Sequence, residues 1–255
     1  MTDTHSAFRI ATNGADSARP RPGFPAPPPA VSPARRRLLI VFLENGGQVG
    51  GITLPPAVSF TLDRVSQAYA KTVVRLQAHR HYDHIIMLED EQATAAHLWR
   101  ALLDAGDATV DILMLVHGQV GYACGFGDHQ IGADFFNSLR SLRAAGVARF
   151  QLRAVYQMNC YGMSLAEDWL SIGAQAVNGS VGVNWLPEPS LSVFLYNWLH
   201  GQPFDVAVER GYRAASRVLG LVWRPQPVRT GFRQPHDKIA SSHMTVFGDG
   251  GLVSR

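Results

Sequence analysis

The stretch Val110–Gly118, VDILMLVHG, is a largely apolar run that ends in a histidine and a glycine. A run of this kind is typical of a strand buried on both faces of a parallel sheet. The glycine lets the backbone turn sharply where the strand ends. The segment 150–162, FQLRAVYQMNCYG, repeats the arrangement with Cys160 and a glycine at its end. The two segments predict neighbouring strands that carry polar groups at one edge of a sheet.

The rest of the chain alternates between strand and helix patterns. Further strands are predicted at 38–44, 84–90 and 174–185, and helices at 61–80, 93–107, 133–146, 164–173, 189–201 and 204–219. Thr61 is a plausible N-cap for the first helix. Such alternation predicts an α/β fold, with a mostly parallel sheet covered by helices on both faces. In these sheets ligands and catalytic groups gather at the carboxyl ends of the strands.

Composition limits the classes of function. The chain has 255 residues, of which 46% are hydrophobic and 17% charged, as in a globular protein with a real core. Residues 1–36 are rich in proline and alanine and predict a disordered tail, followed by one domain over 37–255. The net charge of +3 is small and basic residues do not alternate with aromatic ones, which argues against a nucleic-acid partner.

The cellular location of the protein and the state of its cysteines are predicted from features that the sequence lacks. It contains no apolar run of membrane-spanning length, and its first residues do not have the pattern of a secretory signal. Two cysteines in a chain of this length do not form a disulfide framework. We therefore expect a cytoplasmic protein with no membrane partner and with at least one free thiol.

The string HRHYDH, residues 79–84, matches the H-x-H-x-D-H zinc motif of metallo-β-lactamase-type hydrolases. In that family the motif follows a strand, whereas here a helix precedes it and a strand follows. The string is therefore expected at the amino end of the sheet, as a charged helix terminus that interacts favourably with the helix dipole. A zinc-dependent hydrolase is the less favoured alternative, and we predict no metal site and no cofactor.

His117 and Cys160 are the favoured catalytic pair. If their strands are neighbours, the imidazole and the thiol face each other across the carboxyl edge, and the imidazole can accept the thiol proton. A helix that begins near Ser164 would point its positive end at Cys160 and favour the thiolate. Cys124, in the glycine-rich segment after His117, is the second candidate nucleophile.

These two blocks together resemble the histidine and cysteine blocks of the caspase-like cysteine peptidases, clan CD, a group that includes caspases, legumain and the bacterial CHAT domains. The separation between His117 and Cys160 is close to the roughly fifty residues of caspases. The segment 173–212 resembles the CHAT arrangement most closely. The segment 244–252, MTVFGDGGL, is similar to the ending of some bacterial members, with Gly250 in place of a proline. The resemblance covers residues 38–255 and implies a caspase-like α/β/α sandwich.

The resemblance also implies a mechanism and a substrate class. His117 would be the general base and acid, Cys160 the nucleophile of a peptidase, and the N–H groups of Gly118 and Cys160 the oxyanion hole. Asn184 and Trp185 match the substrate-binding positions after the fifth strand, but the arginine that follows in caspases is absent. The metacaspase aspartate, two residues before the nucleophile, is Met158.

Glu44, at the end of the first strand, is the nearest acidic group for a basic P1 side chain, and we expect a basic or small P1 residue. The main alternative function is a catalytically silent caspase-like module that binds a protein partner. A regulatory partner, or self-processing of the tail at Arg35-Arg36-Arg37, is a further hypothesis.

Overall fold

A six-stranded sheet runs through the centre of the protein, in a computed structural model that describes residues 36–44, 48–49, 52–53, 56–185, 188–222 and 239–254. The described strands are β1 (Arg37–Glu44), β2 (Gln48–Val49), β3 (Ile52–Thr53), β4 (His84–Glu89), β5 (Thr109–Val116), β6 (Gly118–Gln119), β7 (Tyr122–Cys124), β8 (Gln130–Ile131), β9 (Gln151–Gln157), β10 (Ala176–Ser180) and β11 (Met244–Gly248). Strands β2 and β3 form a small ribbon, and β6, β7 and β8 form a three-stranded antiparallel ribbon.

The main sheet has the strand order β11-β10-β9-β5-β1-β4. All neighbours pair in parallel except β11, which is antiparallel to β10. The chain passes from β1 to β4 on one side and then to β5 on the other, so the order reverses between β1 and β5. Such a reversal leaves a crevice at the carboxyl ends of these strands, where ligands bind in open α/β sheets.

Helices cover both faces of the sheet. They are α1 (Pro56–Ala78), α2 (Ala95–Asp104), α3 (Ala133–Ala144), α4 (Ala166–Ser171), α5 (Ser190–Leu199) and α6 (Phe204–Val222). The side chains of successive β1 residues point to opposite faces of the sheet. Ile40 and Phe42 pack in the core shared with α2, α3 and α4, whereas Leu39 and Val41 pack in the core shared with α1, α5 and α6. This accounts for the unbroken apolar run of the strand, since both faces are buried.

The architecture confirms the predicted α/β fold with a mostly parallel sheet, but several predicted boundaries were wrong. Helix α1 begins at Pro56, so Thr61 lies inside it and is not the N-cap. Strand β9 ends at Gln157, which leaves Cys160 on a turn beyond the strand. The fifth predicted strand is limited to β10, and β11 was not predicted. Its sequence, MTVFG, has three residues that favour strands, Thr245, Val246 and Phe247, but the segment is only five residues long and ends in glycine.

Two predictions remain open after the fold is known. The predicted disordered tail, residues 1–36, lies outside the described residues except for Arg36, and the described part of the chain belongs to one unit, Arg35–Arg255. Among the described helices, none combines the length and apolar character needed to cross a membrane. The cytoplasmic location stays a prediction.

A β-bulge between β5 and β9 brings a buried ion pair together. Leu152 pairs with Val110, but the next pair is Ala154 with Asp111, so Arg153 is an extra residue on its strand. An extra residue changes which face the following side chains point to. Arg153 reaches Asp111 through two hydrogen bonds, from Nε to Oδ1 at 2.9 Å and from Nη2 to Oδ2 at 2.6 Å. The bulge therefore pairs a charge on β9 with a charge on β5.

The rest of the network satisfies both buried charges and includes the C-terminal segment. Tyr82 donates a hydrogen bond to Asp111 Oδ2 at 2.6 Å, and Trp198 Nε1 donates to the same oxygen at 3.2 Å. Arg153 Nη1 donates to the carbonyl of Ser254 at 2.6 Å. Burial alone would lower the pKa of Arg153, but the bonds to Asp111 outweigh it and raise that pKa. Burial, together with the charge of Asp111, raises the pKa of Tyr82 well above its ordinary value.

We predict that Asp111→Asn lowers the free energy of unfolding by about 3–5 kcal/mol, because it leaves the Arg153 guanidinium buried without its counter-charge. The matched control is Asp107→Asn. Asp107 pairs with Arg149 at 3.4 Å, but both side chains are mostly exposed, so a loss of about 0–1 kcal/mol is expected. Urea unfolding of the three proteins measures the difference. Equal losses in the two variants would contradict the assignment of Asp111–Arg153 as the stabilising pair.

Candidate active site

His117 and Cys160 both lie at the carboxyl edge of the sheet. His117 directly follows β5, and Cys160 lies on the turn that follows β9, the next strand of the sheet. Both residues are partly buried. The structure therefore brings the two predicted catalytic segments to neighbouring strand ends, beside the crevice between β1 and β5.

Gly118 packs directly against the segment that carries Cys160. A Cβ atom at this position would lie 2.7 Å from the Cys160 carbonyl oxygen and 2.9 Å from Asn159 Nδ2. Real Cβ atoms do not approach other atoms so closely, so a side chain at position 118 would push the segments apart. The glycine after His117 is thus required by the packing of these two backbones, besides its predicted part in an oxyanion hole.

The turn that carries Cys160 is held from two sides. Tyr161 has a left-handed backbone with φ of 56°, and its N–H donates to the Gly182 carbonyl at 2.8 Å. Ser164 Oγ donates to the Tyr161 carbonyl at 2.7 Å and accepts the Gly121 N–H at 2.9 Å. The turn is therefore tied both to the segment after β10 and to the ribbon after His117.

A buried amide network that the sequence interpretation missed lies beneath this turn. Asn178 Oδ1 accepts the Gln157 N–H at 2.9 Å, and Asn178 Nδ2 donates to the Gln157 carbonyl at 3.0 Å. Gln157 Nε2 donates to the carbonyls of Asn178 and Gly162, at 2.7 and 3.1 Å. These bonds join the ends of β9 and β10 to the turn. The signal available in the sequence was the presence of a polar residue in each of two otherwise apolar strand patterns, Gln157 in β9 and Asn178 in β10.

The surroundings of the Cys160 sulfur disfavour ionisation of its thiol. Burial raises its pKa above the ordinary thiol value, although hydrogen bonds from the backbone N–H groups of Asn184 and of Cys160 itself act in the opposite direction. The expected helix near Ser164 begins as a 3-10 turn, Gly162–Leu165, and α4 has only six residues. The helix beside Cys160 is therefore shorter than the sequence predicted, and burial is the largest influence on the pKa of the thiol.

Asn184 and Trp185 lie on the segment that follows β10. The Asn184 backbone N–H contacts the Cys160 thiol, and Asn184 Nδ2 donates to the Met158 carbonyl at 2.8 Å. The Trp185 N–H donates to Ser242 Oγ at 2.8 Å. Of these two residues, Asn184 contacts the candidate nucleophile directly.

Glu44 ends β1 and is partly buried. It pairs in register with Val116, the residue before His117, so it borders the same crevice. The adjacent strand ends in Glu89, which forms an ion pair with Lys71 at 2.6 Å. Glu44 is therefore the predicted acidic residue that lies beside the His117 strand end.

Cys124 lies on β7, next to His117. Its N–H donates to the His117 carbonyl at 2.9 Å, and its side chain is partly buried. The three-stranded ribbon thus places the second cysteine near the histidine as well, and the two candidate nucleophiles have to be separated by experiment.

The HRHYDH string lies at the other edge of the sheet. His79 follows α1, with its Nδ1 atom 2.9 Å from the Arg75 carbonyl, and His84 opens β4. Within the part of the chain that the structure describes, no three His, Cys, Asp or Glu side chains come together in a way that could hold a metal ion.

Comparison with known proteins gives a likeness of fold. No protein-family model matches the chain, and neither does any curated protein. Among solved structures, the chain is similar to a secreted C11 cysteine protease from Bacteroides thetaiotaomicron, solved with an irreversible peptide inhibitor. The TM-score is 0.50 and the identity 10%, over 84% of this chain and 66% of the protease, so the chain spans less than two thirds of that protein's length. The architecture is that of a caspase-like α/β/α sandwich.

We predict that alkylation of Cys160 by iodoacetamide accelerates with pH to a midpoint above the ordinary thiol range. Only the thiolate reacts, and the raised pKa means that the thiolate forms at higher pH than in a solvated cysteine. Mass spectrometry of the Cys124→Ser variant, which isolates Cys160, gives the rate at each pH. A midpoint near neutral pH would show instead that a nearby cation stabilises the thiolate.

Proposed function

We propose that this chain is a caspase-like cysteine endopeptidase with a dyad of His117 and Cys160. The proposal depends on one observation above all, the direct packing of Gly118 against the backbone of Cys160 at the carboxyl edge of the sheet. This contact joins the strand end that carries an imidazole to the turn that carries a thiol. The similarity of fold to a cysteine protease supports the same class of reaction.

In the proposed reaction the Cys160 sulfur attacks the carbonyl carbon of a peptide bond and forms a tetrahedral oxyanion. The N–H groups of Gly118 and Cys160 donate to that oxyanion, and such donors contribute about 3 kcal/mol each in the transition state. His117 accepts the thiol proton and delivers it to the leaving amine as the C–N bond breaks. Water then hydrolyses the thioester, which releases the acid and restores the thiol. No metal or organic cofactor takes part.

The raised pKa of Cys160 determines how the dyad must work. A raised pKa favours a neutral resting thiol, so in the proposed reaction the proton leaves during the attack and His117 acts as the general base. The N–H of Asn184 already points at the sulfur and stabilises the charge that develops there. The same raised pKa is also the observation that favours the alternative, a silent module that binds partners through this surface.

The substrate is proposed to be a protein or peptide with a basic or small P1 side chain. Glu44 would attract a basic group, because it borders the crevice next to the His117 strand end. Asn184 and Trp185 would line the path of the peptide beside the thiol. Met158, two residues before the nucleophile, supplies neither the aspartate of metacaspases nor a charge for an acidic P1 group.

We predict that Cys160→Ala abolishes hydrolysis of fluorogenic peptides whose P1 residue is varied. His117→Ala is expected to lower kcat by about 10²–10⁴-fold, the usual contribution of general acid–base catalysis. Cys124→Ser and the exposed His200→Ala serve as matched controls and are expected to keep activity. Loss of activity in Cys124→Ser with retention in Cys160→Ala would transfer the role of nucleophile to Cys124. A wild-type protein that cleaves no peptide and whose Cys160 does not react would support the silent module.

Self-processing at Arg35-Arg36-Arg37 would have to occur between molecules. Arg37 opens β1 at the amino edge, whereas Cys160 lies at the carboxyl edge, and the length of β1 separates these edges by about 23 Å at 3.3 Å per residue. We predict that the active protein trims the tail of a Cys160→Ala chain added to it, at a rate that rises with concentration. Mass spectrometry of the N-terminus measures the product. Identical N-termini in the wild type and in Cys160→Ala would contradict the hypothesis of self-processing.

A further inference from the structure

Two serines before β11 bind the segment that follows β10. Ser241 Oγ donates to the Val183 carbonyl at 2.9 Å, and Ser242 Oγ accepts the Trp185 N–H at 2.8 Å. Ser242 is fully buried and its Oγ also lies 3.4 Å from the Val183 carbonyl. We call Ser241 and Ser242 the serine clamp. The clamp holds the backbone on both sides of Asn184.

Asn184, the residue between the two clamped positions, is the one that contacts Cys160. Its N–H donates to the thiol, and its side-chain Nδ2 donates to the Met158 carbonyl at 2.8 Å. The N–H direction of a residue is set by the peptide planes on either side of it. Bonds to the preceding carbonyl and to the following N–H therefore restrict where the Asn184 N–H points.

The clamp also continues the pairing of β10 with β11 beyond the two strands. The Val181 N–H donates to the His243 carbonyl at 3.0 Å, and the Gly182 N–H donates to the Ser241 carbonyl at 2.8 Å. After Gly182 the backbone ladder ends, and the two serine hydroxyls replace it. The segment that contacts the thiol is thus held by side chains where the sheet no longer holds it.

We propose that Ser241 and Ser242 are positioning residues for Cys160, which keep the Asn184 segment against the thiol by binding the backbone on either side of it. They act through Asn184 and do not touch a substrate. The inference deepens the proposed peptidase function, because Cys160 is its nucleophile, but it requires only that the thiol reacts.

The position of the Asn184 segment affects how readily the Cys160 thiol ionises. A backbone N–H that points at the sulfur stabilises the thiolate, and its loss leaves burial unopposed except by the N–H of Cys160 itself. Titratable side chains on the adjoining elements include His117 after β5, Tyr161 on the turn and His243 beside the clamp. Glu44 at the end of β1 and Cys124 on β7 lie next to His117. Cys124 is replaced in the test background and a clamp substitution leaves the others in place, so a change in the pKa of the thiol can be assigned to the Asn184 segment.

The test is the pH profile of Cys160 alkylation in Ser242→Ala, in a Cys124→Ser background. We expect the midpoint to move upward by about one pH unit, which lowers the rate at neutral pH by about tenfold. The rate at high pH, where the thiol is fully ionised, reports access to the sulfur and separates a change in pKa from a change in exposure. Ser241→Ala is expected to shift the midpoint in the same direction, and it replaces Ser242→Ala if that variant does not fold.

Ser254→Ala is the matched control. Ser254 is 1% exposed and its Oγ donates to the Trp198 carbonyl at 2.5 Å, but it lies in the Asp111–Arg153 network at the opposite edge of the sheet. We expect this variant to lower thermal stability without moving the midpoint. Midpoints of Ser242→Ala and Ser241→Ala equal to that of the parent protein would overturn the proposal, as would an equal shift in Ser254→Ala.

The two proposals can fail separately. Alkylation needs no peptide turnover, so a protein that cleaves no peptide but shows the clamp-dependent midpoint would contradict the peptidase function and leave the clamp standing. A protein that cleaves peptides but shows an unchanged alkylation midpoint in both clamp variants would contradict the clamp proposal and leave the peptidase function standing.

Discussion

Strands β5 and β9 are locked in register by the buried pair of Asp111 and Arg153, and the arrangement of the candidate site depends on that register. Arg153 reaches Asp111 because the bulge inserts one extra residue in β9. A shift of one residue in the pairing would reverse the faces of the side chains along the strand. It would also displace Cys160 relative to His117, since each follows the end of one of these strands.

The two edges of the sheet carry different kinds of polar group. The amino edge holds a buried charged network that also binds the C-terminal segment through the Ser254 carbonyl. The carboxyl edge holds the thiol, whose pKa is set by burial and by backbone N–H groups. The buried Asp111–Arg153 pair thus lies away from the candidate nucleophile, and the pKa of Cys160 responds to local loop geometry. That geometry depends on Gly118, on the Gln157–Asn178 amides and on the serine clamp.

Local sequence patterns predicted the buried strands and the edge of the sheet that carries His117 and Cys160, because both depend on residues that are close together in the chain. The apolar runs predicted the buried strands because residues on both faces must be apolar, and the His-Gly and Cys-x-Gly endings predicted which edge carries them. Thr61 failed as an N-cap because the helix begins earlier, at Pro56. The helix near Ser164 was predicted to favour the Cys160 thiolate, whereas burial raises the pKa of that thiol, and burial of the sulfur cannot be read from neighbouring letters.

The sequence by itself determined the α/β alternation, the mostly parallel sheet and the placement of His117 and Cys160 after two strands, since each follows from residues close together in the chain. Only the tertiary structure decided what surrounds the thiol. Ser242 is far from Cys160 in sequence and belongs to no motif, yet it holds the segment that contacts the sulfur. β11 likewise becomes a strand because β10 offers it an edge to pair with. Contacts between distant segments depend on how the whole chain packs, and no local pattern contains that information.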